Sequence, residues 1–202
     1  VWSEGLFLRT QHLQQQDRHL GWLVRQVLRA APLQGFGFVG LRLDPAALDA
    51  GQVGIELADG VMPDGTVFSA LESCLPVEPV AVTAKTPSGL VHLAIPAETP
   101  GGAEIDPAHQ DASGMRWRGA FGTIRDNIVG GAEPTEIELA RLAPKLLLPG
   151  TEIRGYATLP VARLTGLTAA GAVALDPGFL APALNIGALP WYGQFLKELV
   201  TG

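Results

Sequence analysis

Glycine and proline punctuate this chain about once every five residues: 25 and 16 of 202, 41 together. A bundle of long helices does not tolerate that spacing. Each proline removes a backbone donor, and each glycine weakens a helix interior. Short strands joined by tight turns do tolerate it, with glycine and proline placed in the turns. The apolar residues then carry the strand period. Phe36, Phe38, Leu41 and Leu43 alternate with small or charged residues, and Val53, Ile55 and Leu57 alternate strictly. Asp59-Gly60 has the dipeptide of a tight hairpin turn, and Pro63-Asp64-Gly65 reads as a turn by the same chemistry. Val67 and Phe68 continue a strand. Further strands are expected over 77–83, 90–95, 117–124, 136–142 and 152–164, with a long polar loop over 101–113. Gly35 to Gly40 superficially resembles a nucleotide-binding loop. It lacks the spacing and the following helix, so its glycines read as close-packed strand glycines.

Helical period appears only at the ends. Leu13, Leu20, Val24, Val27 and Ala31 form one apolar stripe, Thr10 is a candidate N-cap, and Pro32 stops the helix. Trp2 to Leu8 reads as an apolar extended segment ahead of it. Leu189, Tyr192, Phe195, Leu196 and Leu199 predict a C-terminal helix, with Pro190 at its first position. The expected layout is residues 1–34 as N-terminal segment and helix, 35–187 as a β body, and 188–202 as a C-terminal helix. Strands this short, with few helical patterns between them, favour a mainly β, antiparallel sandwich or barrel.

Composition narrows the function classes. Apolar residues make up 47% and charged residues 17%, with a net charge of −6. An acidic chain sparse in Lys and Arg is a poor partner for nucleic acid, whose binding rests on phosphate neutralisation. So little charge points instead to surface buried against partner proteins. The lone Cys74 makes no intrachain disulfide, in keeping with an intracellular or redox-neutral setting. The uncharged stretch 177–196 has bilayer length. Its three prolines and three glycines would leave backbone groups unpaired in lipid, so no membrane insertion is expected. The start lacks the pattern of a signal peptide, and without an initiator Met the numbering is expected to begin inside the natural chain.

Catalytic patterns are absent. There is no G-x-S-x-G elbow and no phosphate-binding G-x-x-x-x-G-K-[ST] loop. His12 and His19 stand seven apart with Asp17 nearby. Helical metal ligands usually stand three or four apart, so solvated or interface histidines are the stronger reading. Glu136 and Glu138 fit a solvent-facing strand edge better than a glycosidase pair. Arg116-Trp117-Arg118 is a small basic-aromatic patch expected to pack or to pair with carboxylates. No catalytic residue, metal or cofactor is assigned. Trp2 and Phe7, with the glutamine-rich run behind them, read equally well as packing on their own sheet or as anchors for another subunit.

That opening carries a resemblance. Trp2-Ser3-Glu4-Gly5-Leu6-Phe7-Leu8-Arg9, Gln11-His12 and Gln14-Gln15-Gln16-Asp17-Arg18 resemble the W-x-E-G-x-F-L-x-P-Q-H-F-Q-Q-Q-D-R-Y opening of the TssK (ImpJ/VasE) family of type VI secretion baseplate proteins. Pro63-Asp64-Gly65-Thr66, Leu159-Pro160-Val161-Ala162-Arg163 and the segment Leu175 to Leu184 are similar to later family motifs in the same order. Thr10 replaces the usual proline, Leu13 the usual phenylalanine, and Ala181 the first proline of a late pair. Residues 101–118 are divergent.

The resemblance implies the N-terminal half of a longer, non-enzymatic adaptor. Its fold would be a β-sandwich similar to the shoulder domain of siphophage receptor-binding proteins. The family protein is a cytoplasmic homotrimer at the inner face of the bacterial inner membrane. Its N-terminal part docks to the wedge proteins TssF and TssG. Its C-terminal half, missing here, meets the membrane-complex proteins TssL and TssM. The implied interface residues are Trp2, Glu4, Gly5, Phe7, Gln11, His12, Gln14, Gln15, Gln16, Asp17 and Arg18. A phage-like receptor- or carbohydrate-binding module is the alternative, since fold alone does not separate the two.

Overall fold

The computed structural model describes residues 7–30, 35–99, 102–106, 114–126, 128, 131 and 133–188. Its body is two antiparallel sheets packed face to face. One holds β1 (Gly37–Leu43), β3 (Ile55–Val61) and β4 (Val67–Ser69), in that order. The other runs β10 (Lys145–Leu147), β6 (Gly89–Pro96), β11 (Tyr156–Leu167) and β12 (Val173–Leu175). Phe38, Ala58 and Phe68 from the first sheet share one core with Val91, Leu93, Ile95, Leu159 and Leu164 from the second. Burying each large apolar side chain contributes roughly 1.5–3 kcal/mol, which makes this interlayer the main source of stability. The expected mainly β, antiparallel sandwich is the fold observed.

The strand alternation has a physical reason wherever it breaks. Val91, Leu93 and Ile95 keep strict period two into the core. Phe38 and Leu41 are three apart yet both buried, because an irregularity between Phe38 and Gly40 shifts the register against β3. One extra residue turns the following side chains to the other face. A second shift between Pro160 and Ala162 lets Leu159, Val161, Ala162 and Leu164 all reach the core.

Asp59-Gly60 is not a turn. Both residues lie in β3, the middle strand of its sheet, where Gly60 pairs with Phe38 on one side and Phe68 on the other. A Cβ on Gly60 would collide with the Gly37 carbonyl oxygen and stand 3.0 Å from Phe38 Cα. The glycine is there for close strand approach. The hairpin turn comes next, where Gly65 takes φ +86°, Met62 N–H donates to Thr66 O, and Gly65 N–H donates to Met62 O.

Other boundaries shift too. Of the strand expected over 77–83, only β5 (Val80–Ala81) forms, against β2 (Gln52–Val53). The strand expected from 152 begins at Tyr156 and runs on to Leu167. Inside the expected polar loop, β7 (Ile105–Asp106) pairs in parallel with β8 (Trp117–Ile124), and Asp106 is buried. A short helix, α2 (Pro45–Asp49), was not foreseen. Asp44 caps it by accepting from Ala46 N at 2.9 Å and Ala47 N at 3.2 Å, with Pro45 in the first turn. An Asp-Pro pair is a start signal for a helix, and α2 is too short to show a period. The expected C-terminal helix lies outside the described residues.

Two predictions follow from this packing. Gly60→Ala costs about 1–3 kcal/mol by overpacking. In a chain this size that lowers the melting temperature by roughly 2–4 °C per kcal/mol. Gly178→Ala, whose Cβ would meet only Asp176 Oδ1 at 3.4 Å, stays near wild type. The second prediction concerns His92 on β6, whose pKa is lowered from its ordinary 6.5 by burial. The unfolded chain therefore takes the proton first as pH falls below about 6.5, and folded stability declines from there. Urea midpoints compared at neutral and mildly acid pH show a smaller acid loss for His92→Gln than for wild type.

Candidate protein-docking surface

The surface begins with the N-terminal helix α1 (Thr10–Ala30). Thr10 is its first helical residue and not its cap. Arg9 holds the capping position instead: its N–H donates to His12 Nδ1 at 3.0 Å, while His12 N–H donates to Arg9 O at 2.9 Å. The His12 side chain thus supplies the half of a capping box that Glu or Gln usually supplies, while the other bond is made by the backbone carbonyl of Arg9. His12 is thereby given a local structural role. His19 stacks on Trp22, their ring centroids 5.7 Å apart, so the two histidines do not converge on a metal. Among the described residues no group of three or more His, Cys, Asp or Glu could hold a metal ion. No helix among them is long and apolar enough to cross a membrane.

The helix has an unusual orientation. Gly21, Arg25 and Leu28, spaced i, i+4, i+7, are partly covered. Arg25 meets the body directly, pairing with Glu98 at 3.2 Å while its stem crosses Gly65, where an added Cβ would stand 2.8 Å from Arg25 Cγ. The apolar stripe lies about a quarter turn away, at 3.6 residues per turn. Leu13, Leu20, Val24 and Val27 are 47–63% exposed. Trp22 and Leu23 are about half exposed as well. The stripe that helical period finds so clearly therefore does not pack on this chain's own sheet.

The residues singled out by resemblance fall into three sets. Trp2, Glu4 and Gly5 lie outside the described residues. Phe7 precedes the helix and is 87% exposed. Gln11, Gln14, Gln15, Gln16, Asp17 and Arg18 are all exposed. Gln11, Gln14, Gln15 and Arg18 stand at i, i+3, i+4, i+7 and so share one face. That polar face is roughly opposite the apolar stripe. Gln16 and Asp17 point elsewhere. The helix thus offers two separate surfaces, and sequence reasoning treated them as one segment.

A second exposed element leaves the body nearby. β8 and β9 (Thr135–Leu142) form an antiparallel ribbon, with β7 added only at its base. At that base Trp117 packs against the core, while Leu142 is buried within it. Farther out, Phe121, Ile124 and Ile137 are 43–52% exposed. Glu136 and Glu138 alternate along β9 with Ile137 and Leu139, as a solvent-facing edge requires. The basic-aromatic patch pairs with carboxylates as expected. Arg118 reaches Asp106 at 3.9 Å, and the buried Arg116 reaches Asp64 at 3.1 Å. Arg116 also donates to Pro96 O at 2.5 Å and to Thr66 Oγ1. One turn, Pro63 to Thr66, therefore meets both α1 and the ribbon's root.

Loss of either partner in this pair has unequal consequences. Asp64→Ala leaves a buried guanidinium without its counter-charge and costs about 3 kcal/mol. Arg116→Met leaves only a partly hydrated carboxylate and costs less. Chemical denaturation of the two variants ranks them in that order, with Asp64→Asn nearest to wild type.

This surface sits on a recognisable lineage. The family model described as "Bacterial Type VI secretion, VC_A0110, EvfL, ImpJ, VasE" matches residues 12–202. The type VI secretion system baseplate component TssK1 of Pseudomonas aeruginosa is 35% identical over 200 residues, covering 99% of this chain and 45% of that protein. A crystal structure of TssK superposes with a TM-score of 0.87 at 27% identity, over 98% of this chain and 45% of its own. A chain of the TssK-TssF-TssG baseplate subcomplex, solved by cryo-electron microscopy, superposes at 0.85 and 24% identity, over 100% and 67%. The chain spans less than half the length of the first two of these relatives. With the N-terminal signature, the sandwich and the family model in agreement, the chain belongs to the ImpJ/VasE family of bacterial type VI secretion proteins.

Proposed function

We propose that this chain is the wedge-docking part of a non-enzymatic baseplate adaptor that self-associates and acts in the bacterial cytoplasm. Its partners are the wedge proteins TssF and TssG, met through the segment Trp2 to Arg18. The body over 35–187 serves as a shoulder-like platform similar to that of siphophage receptor-binding proteins. Residues 188–202 lead toward a further half that meets TssL and TssM.

One observation carries the reading: α1 leaves its apolar stripe exposed along its length, and the glutamines and Arg18 of its N-terminal half are exposed too, while Arg25, farther along, pairs with the body. A solvent-facing stripe of leucine and valine makes physical sense when another surface covers it. Glutamine side chains supply donors and acceptors together, suited to the polar rim of a protein interface. The relative whose name includes TssF and TssG supports the choice of partner.

Co-purification with TssF and TssG tests the docking segment. Wild type retains the wedge proteins. Trp2→Ala plus Phe7→Ala reduces capture at least about tenfold, as expected when two aromatic anchors are removed, with circular dichroism unchanged. Equal capture by a folded double variant contradicts the role given to this segment.

A further inference from the structure

We infer that Arg25 is a releasable latch that sets the angle of α1 on the body, with Gly65 as its seat and Glu98 as its catch. The first ground is how little else holds the helix. No residue of α1 belongs to the core or packs against it. Among the described residues, Arg25 alone joins α1 to the body by a hydrogen bond or ion pair, both made with the Glu98 carboxylate. Its stem crosses Gly65, a turn position with φ +86° where an added Cβ would stand 2.8 Å from Arg25 Cγ. The turn thus has a glycine both for its backbone and for the passage of this side chain. Arg25 lies toward the end of a 21-residue helix. Gln15 stands ten residues before it, about 15 Å along the axis. A small tilt at the latch therefore swings both exposed stripes of the N-terminal half together.

The second ground is a contrast with Arg116. The two arginines grip the same two segments, one from each sheet. Arg116 takes Asp64 and Thr66 in the Pro63–Thr66 turn and Pro96 O at the end of β6. Arg25 takes Gly65 in that turn and Glu98 just past β6. Their surroundings differ. The Arg116 side chain is 6% exposed, while Arg25 and Glu98 are 23% and 41% exposed. A partly hydrated ion pair is weak and is screened by salt, whereas a buried guanidinium with several acceptors is costly to free. The ribbon root is therefore the fixed attachment and α1 the releasable one. Few-residue contacts at the end of an element are where hinges form.

Distances between paired nitroxide labels test the latch on the chain alone, without TssF or TssG, so its failure and that of the docking role are distinguishable. Gln15→Cys with Leu71→Cys reports α1 against the body. Thr123→Cys with Leu71→Cys reports the ribbon against the body, and wild type controls for label uptake by the buried Cys74. At low salt both pairs give one narrow distance distribution. Glu98→Gln, and separately Arg25→Gln, broadens the Gln15–Leu71 distribution at least about twofold and leaves the Thr123–Leu71 distribution as it was. About 1 M salt broadens it in the unaltered latch as well, and dilution restores it. Circular dichroism shows unchanged helix content throughout. The inference is overturned if the α1 distribution is already broad with the latch intact, or stays narrow in both variants. It is equally overturned if the ribbon distribution broadens with it, which makes the whole turn the loose element, or if helix content falls, which makes α1 melt where a latch would let it swing.

Discussion

One buried guanidinium connects the parts of this molecule. Arg116 stands at the root of the ribbon. It reaches the turn between β3 and β4 in one sheet through Asp64 and Thr66, and the end of β6 in the other sheet through Pro96 O. A charge that deep requires a counter-charge and several acceptors, and it has them. The sandwich would still bury its core without this residue. The ribbon would lose its fixed direction relative to the two sheets. Because Arg25 lies across the same turn, the direction of α1 is set in the same place.

The fold was legible where a single local rule decides. The α1 stripe, the alternation along β6 and the Pro63–Thr66 turn each follow from period or turn chemistry alone. Asp59-Gly60 was misread because the same dipeptide suits a turn and a tightly approached strand. Only the neighbouring Gly37 carbonyl, far off in sequence, decides between them. The irregularity beside Phe38 left a trace, since Phe38 and Leu41 break strict alternation. Asp106 left none, because a lone aspartate in a polar stretch reads as loop whether or not it is buried.

The proposed docking surface was legible in a different way. The resemblance marked Trp2 to Arg18 as one segment, and spacing alone could have divided the glutamines at 11, 14 and 15 with Arg18 from the leucines and valines. What sequence does not carry is which face of a helix meets its own body. Here Gly21 and Arg25 do so, and the apolar stripe is left outward. The low charge content that first pointed to partners thereby gains a location: much of the uncovered apolar surface gathers on α1 and on the ribbon.

If the α1 stripe is interface, assembly covers it. Hydroxyl-radical footprinting of Leu13, Leu20, Trp22 and Val27, comparing the dilute chain with the chain assembled with TssF and TssG, measures this most directly. Labelling of these residues is expected to fall several-fold on assembly, while Leu71, exposed on the body, labels as before. Equal labelling of the stripe in both states would contradict it.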